Sequence, residues 1–130
     1  TTEEIFILMN KKKKSIHLEK FVEVPNSFAN TKLNEKWIEL KKIRDICNIS
    51  IEAKRASKEI GSSLEASLTI SLNENLFKLT ENINFSELCI TSSAKIEIKD
   101  LKEVGVKTIK AEGIKCPVCW KINKEKCKRH

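Results

Sequence analysis

The chain has 130 residues, 40% of them hydrophobic and 33% charged, with a formal net charge of +7 at pH 7. That balance suits a soluble folded protein rather than a disordered one. No apolar run approaches the roughly 20 residues that a bilayer span needs, and the start, TTEEIFILMNKKKK, lacks the order of a secretory signal. The expectation is a cytoplasmic, monomeric protein with no membrane partner, and, with no initiator methionine, a piece of something longer.

The positive charge invites a polyanionic partner. Of the 25 basic residues only Arg44, Arg55 and Arg129 are arginine, however, and an AT-rich coding sequence would give the same lysine excess with no function behind it.

In TTEE, Glu4 follows Thr1 by three residues, as in a capping box, and predicts a short helix. Residues 11–14, all lysine, read as a solvated loop, and Pro25-Asn26-Ser27 as a turn. His17, between apolar neighbours, reads as a structural histidine. In LNEKWIELKKIRDICNISIEAKRASKEIG, Leu33, Trp37, Leu40, Ile43, Cys47 and Ile51 recur at helical spacing, and Gly61 offers a stop. A long amphipathic helix follows, with Trp37 and Cys47 on its core face.

From residue 62 the period changes. SLEASLTISL alternates Leu64, Ala66, Leu68 and Ile70 with polar residues, as a half-buried strand does. NENLFKLTENINF reads as helix with Leu76, Phe77, Leu79 and Ile83 inward. ELCITSSAKIEI reads as a strand, with Cys89 a buried inert thiol, and residues 106–109 as another. The expected result is a small sheet with a helix against it.

The last fifteen residues, CPVCWKINKEKCKRH, hold three of the five cysteines and too few apolar residues for a core of their own. A Cys-x2-Cys turn places two thiolates on one ion, and Zn²⁺ takes four nitrogen or sulfur ligands in a tetrahedron. Cys116 and Cys119 form the first pair. Cys127 and His130 form the second, after a seven-residue loop. Four protein ligands leave no position for water, so the expected single Zn²⁺ is structural. A redox pair is the competing reading, but it leaves Cys127 and His130 without a purpose. Catalysis finds no support elsewhere: the chain has three glycines and no phosphate-binding loop, and Glu59, Glu65 and Glu87 have no spacing of a carboxylate pair.

In their order, several segments resemble isoleucyl-tRNA synthetases. KEIGSSLEASLTISL (58–72), preceded by Arg55, resembles the segment after that family's anticodon-binding helices. TTEEIF, SIHLEKFVEVP, LNEKWIELKKIRD and ELCITSSAKIE are similar to the stretches around it, and GIKCPVCWKI to the opening of the family's C-terminal zinc module. The resemblance implies an α+β fold in three parts: residues 1–61 ending a helical anticodon-binding bundle, 62–112 a small α/β junction, and 113–130 a zinc-ribbon-like appendix. It implies isoleucine tRNA and the upstream domains of the same synthetase as partners. The ATP-dependent catalytic domain would lie upstream, so this piece alone would not be an enzyme. Two features depart from the family pattern. A cysteine usually stands where His130 does, and the loop between ligand pairs is usually longer than residues 120–126.

Residues expected to meet tRNA are Lys41, Arg44, Lys54, Arg55 and Lys58, mostly off the apolar stripe of the long helix, with Trp120 in the tail. Arg55 matches the family pattern but has a structural alternative in pairing with Glu52 or Glu59. The competing functions are an independent zinc-ribbon nucleic-acid binder and a protein-docking module anchored by Trp120.

Overall fold

In the computed structural model, which describes residues 1–11 and 14–127, the chain separates into two compact units, Thr1–Asn30 and everything from Thr31 onward. The first unit carries helix α1, Thr2–Met9, and two short 3₁₀ turns, Ile16–Leu18 and Asn26–Phe28. At the start of α1 the Glu4 carboxylate accepts from the Thr1 nitrogen at 2.6 Å and from its hydroxyl at 3.2 Å, as the sequence predicts. The Glu3 carboxylate accepts the Ile16 N–H at 3.1 Å, tying the first turn back to the helix. His17 is exposed, which corrects its reading as a structural histidine.

The second unit is built on α2, Thr31–Ala56, whose 26 residues extend about 39 Å at 1.5 Å per residue. Leu40, Ile43, Cys47 and Ile51 are buried, as their spacing predicts. Leu33 and Trp37 continue the stripe but are 49% and 42% exposed, so Trp37 is not a core residue of this unit. The helix also stops earlier than Gly61 suggests. Lys58 takes a left-handed conformation (φ 59°). Its N–H reaches the Arg55 carbonyl at 2.9 Å, and the Glu59 N–H reaches that of Lys54 at 3.1 Å. This pair of bonds is a Schellman ending with lysine in glycine's usual place.

Strand β1, Ala66–Leu72, is the centre of a three-stranded sheet ordered β2-β1-β3. It pairs in parallel with β2, Ser93–Ile98, and antiparallel with β3, Gly105–Lys110. Its alternate residues Ala66, Leu68, Ile70 and Leu72 are buried with the α2 stripe, Ile60, Phe85 and Cys89 in one core. Burying each leucine, isoleucine or phenylalanine side chain contributes about 1.5–3 kcal/mol, so this core holds α2 on the sheet.

Between β1 and β2 the expected helix over residues 73–85 is shorter, α3 (Glu74–Leu79), and a second one, α4 (Phe85–Leu88), runs from its last residue into the stretch expected as strand. Asn73 and Asn84 cap them, accepting the Leu76 N–H at 2.9 Å and the Ser86 N–H at 3.1 Å. Phe77 and Leu79 are only half-buried. The strand expected from ELCITSSAKIEI begins only at Ser93, because Glu87 and Leu88 belong to α4 and Ile90 turns the chain at φ 54°. Cys89 is buried, as expected.

Candidate metal centre

Beyond the sheet, β4 (Ile114–Lys115) and β5 (Ile122–Asn123) form a two-stranded hairpin around the Cys-Pro-Val-Cys turn. The Cys116 N–H donates to the Lys121 carbonyl at 2.9 Å, and the Trp120 N–H to the Cys116 carbonyl at 3.0 Å. Trp120 closes the knuckle in a left-handed conformation, φ 62°. Gly113, at φ 132°, lets the backbone of β5 pass where any side chain would stand.

This knuckle brings the Cys116, Cys119 and Cys127 sulfurs within 4.8 Å of one another. The Cys119 and Cys127 sulfurs are 3.8 Å apart. A tetrahedral ion with metal–sulfur bonds of about 2.3 Å has an edge of about 3.8 Å, whereas a disulfide needs about 2.05 Å. All three are free thiols. The Cys119 and Val118 N–H groups, aimed at the Cys116 sulfur, lower its pKa to about 7. Cys119 receives the Lys121 N–H, yet partial burial and the Cys116 and Cys127 thiols hold it above its ordinary value. A thiol favoured as thiolate beside one held protonated is a site whose second proton leaves when a cation arrives. The three sulfurs can therefore hold a metal ion and leave one tetrahedral vertex for another ligand. His130, expected there, lies outside the described residues.

The knuckle is fastened to the sheet unit by side chains that sequence reasoning missed. The Ser92 hydroxyl donates to the Leu64 carbonyl at 2.5 Å and accepts the Ile122 N–H at 2.6 Å. Lys121, with only 15% of its side chain exposed, pairs with Glu87 at 2.7 Å, and Lys115 pairs with Glu65 at 3.2 Å. No local pattern marks these contacts, because their partners lie 28 to 50 residues apart.

No family model matches the chain. Among curated proteins, it is 69% identical over all 130 residues to the isoleucine–tRNA ligase of Pelagibacter ubique (strain HTCC1062). It is 35% identical to that of Bartonella quintana (strain Toulouse) and 34% identical to that of Zymomonas mobilis subsp. mobilis (strain ATCC 31821 / ZM4 / CP4), over 96% and 92% of the chain. The chain matches the C-terminal region of bacterial isoleucine–tRNA ligases. It spans 12–14% of the length of these relatives.

The residues expected at tRNA fall in three settings. Lys41, Arg44 and Arg55 lie on one flank of α2 by the helical period, with Arg44 and Arg55 about 16 Å apart along the axis. Arg44 is half-buried, and its Nε donates to the Leu88 carbonyl at 3.0 Å. Arg55 pairs with Glu52 at 2.8 Å and faces, with Lys58, a shallow depression after the helix. Lys54 falls near the core side of α2 and pairs with Glu59 at 2.8 Å. Lys41 and Lys58 are exposed and make no ion pair among the described residues. Trp120 is 60% exposed at the tip of the knuckle. No helix among the described residues is long and apolar enough to cross a membrane.

Proposed function

We propose that this chain is the tRNA-binding end of an isoleucine–tRNA ligase that works in the cytoplasm, seating the anticodon arm of isoleucine tRNA while an ATP-dependent catalytic domain elsewhere in the ligase charges it. The observation that carries this reading is the match along all 130 residues at 69% identity. Residues 1–61 would complete a helical anticodon-binding domain, 62–112 form the junction, and 113–130 form a zinc-ribbon-like module. The segment has no catalytic residue of its own in this reading.

One Zn²⁺, held by Cys116, Cys119, Cys127 and His130, would supply the cross-link that the apolar-poor tail lacks. The sulfur spacing and the N–H groups aimed at Cys116 support the three cysteines of this set. Trp120, exposed beside Lys121, has the ring face on which an unpaired base stacks, a contact worth about 1–3 kcal/mol. Lys41, Arg44, Arg55 and Lys58 would meet phosphates, and Lys54 would reach them from its pair with Glu59.

Backbone amide shifts of the zinc-loaded chain, titrated with isoleucine tRNA, test this reading. Shifts are expected at the knuckle around Trp120 and on α2 near Arg55. A titration that moves neither region refutes it.

A further inference from the structure

The sheet has a second face that α2 does not cover. On the central strand its residues are Ser67 and Thr69, both half-buried, and Ser71, which is buried. Register places Ser93 and Ile109 beside Ser67, Lys95 and Lys107 beside Thr69, and Glu97 and Gly105 beside Ser71. The Ser67 and Ser93 hydroxyls are hydrogen-bonded at 2.7 Å. Lys95 and Lys107 stand two strand spacings apart, about 10 Å, with the Thr69 hydroxyl between them.

We propose that this open sheet face, continued by the groove between it and the metal knuckle, is an RNA-backbone track that takes consecutive phosphates of the bound tRNA. The proposal rests on the tRNA-binding reading above and assigns it a surface that the sequence did not indicate.

Three observations carry it. First, the face continues at both ends. Beside the knuckle is a groove of about 400 Å³ lined by Ser67, Ser93, Ile109, Lys110, Ile122 and Lys124. A second depression of about 400 Å³ at the far end is lined by Thr69, Ser71, Lys99 and Lys107. Secondly, the charge is predominantly positive. Five lysines border the track, against only Glu97 and Glu112. Glu97 is shared by Lys95 at 3.3 Å and Lys99 at 3.1 Å, both lysines well exposed, and Lys107 makes no ion pair among the described residues. Such exposed pairs are weak enough for a phosphate to replace the carboxylate.

Thirdly, Arg44 on α2 is half-buried and engaged with the Leu88 carbonyl, whereas Lys95 and Lys107 stand exposed on the sheet. Hydroxyls suit the track because they donate to phosphate oxygens and both donate to and accept from ribose 2′-hydroxyls. Ile109 and Ile122 give the knuckle end an apolar wall against which a sugar or base can rest. An apolar protein partner would find little else on this face.

The test is fluorescence anisotropy of labelled isoleucine tRNA titrated with the full 130-residue chain between 50 and 200 mM salt. Each phosphate contact adds about 0.7–0.9 to the slope of log affinity against log salt. The double variant Lys95→Gln/Lys107→Gln should reduce that slope by about 1.5. Lys32→Gln/Lys36→Gln, which removes the same charge from the start of α2, should change it by less than about 0.5. Thermal unfolding is expected to be unchanged in both variants, since these lysines are on the surface. An unchanged slope in Lys95→Gln/Lys107→Gln, or an equal fall in both variants, overturns the sheet track and leaves the tRNA reading standing. Absence of saturable binding by the unsubstituted chain overturns both.

Discussion

Gly113→Ala isolates the hairpin from the core. A Cβ at this position would stand 2.2 Å from the Asn123 carbonyl oxygen, 2.5 Å from its carbon and 2.9 Å from the Lys124 nitrogen. Ordinary contact begins near 3.4 Å, so β5 must retreat by more than 1 Å, and the atoms in the way are backbone. Retreat breaks the Ile114–Asn123 pairing next to Cys116. Alanine is also strained at φ 132°, at a cost of order 1–3 kcal/mol. Adding about 1 kcal/mol for a weakened ladder bond gives about 2–4 kcal/mol. That cost falls on the knuckle and not on the core formed by α2 and β1, in which Gly113 has no part. Zinc affinity, measured by competition with a chromophoric chelator, should therefore fall about 30- to 700-fold at 1.4 kcal/mol per decade. The thermal unfolding of the sheet unit should remain near that of the unsubstituted chain. Zinc affinity within threefold of the original, with β4 and β5 amides unshifted, would refute the assignment of Gly113 as the residue that admits β5.

Ser92→Ala removes the link between the Leu64 carbonyl and the Ile122 N–H, leaving two half-buried groups short of a partner at about 1–2 kcal/mol. Exchange of the Ile122 amide should accelerate roughly tenfold with zinc still bound, and unchanged protection would mean the knuckle is held by other contacts. In the zinc-loaded chain no cysteine should alkylate. Chelator should expose Cys119 and Cys127, while Cys47 and Cys89 wait for global unfolding. Cys47 is fully buried, and the Cys89 hydrogen bond and burial push its thiol up, so its alkylation in the folded chain would contradict the core described here. Glu65 accepts the Gly61 N–H and pairs with Lys115, which together hold its carboxyl below its ordinary value of 4.5. A lowered carboxylate adds stability that is fully present above pH 4.5 and is lost as pH falls through the folded value. The Glu65 carboxyl carbon should titrate below pH 4.5, and a midpoint at or above that value would show that neither contact persists in solution.

Period and spacing made much of this molecule readable. Leu40, Ile43, Cys47 and Ile51 give the helical stripe, and Ala66, Leu68 and Ile70 the strand, because each set faces one core. The stripe does not tell where its cover ends, and so Leu33 and Trp37 look like core and are exposed. In ELCITSSAKIEI, β-favouring residues mask a helical turn fixed by the Asn84 cap and by the left-handed Ile90. The Schellman ending at Lys58 was hidden for a related reason, since glycine three residues later was the obvious stop. Cys-x2-Cys announces a pair of ligands through its spacing. The β4–β5 hairpin that carries it depends instead on Gly113 and Trp120 geometry and on Ser92, far away in sequence. Charge patterning pointed to α2, whereas the lysines of the sheet become one face only when β2 and β3 are set beside β1.

The central claim is that this chain is the tRNA-binding end of an isoleucine–tRNA ligase, and comparative binding tests it most directly. The zinc-loaded chain is titrated into labelled isoleucine tRNA and, separately, into duplex DNA with the same number of phosphates, at 100 mM salt. Saturable binding to the tRNA is expected with Kd near or below the ~10⁻⁴–10⁻⁶ M of non-specific contacts. It should be tighter than binding to the duplex and weakened when chelator removes the metal. Equal affinity for both nucleic acids, or tighter binding to the duplex, would contradict the claim.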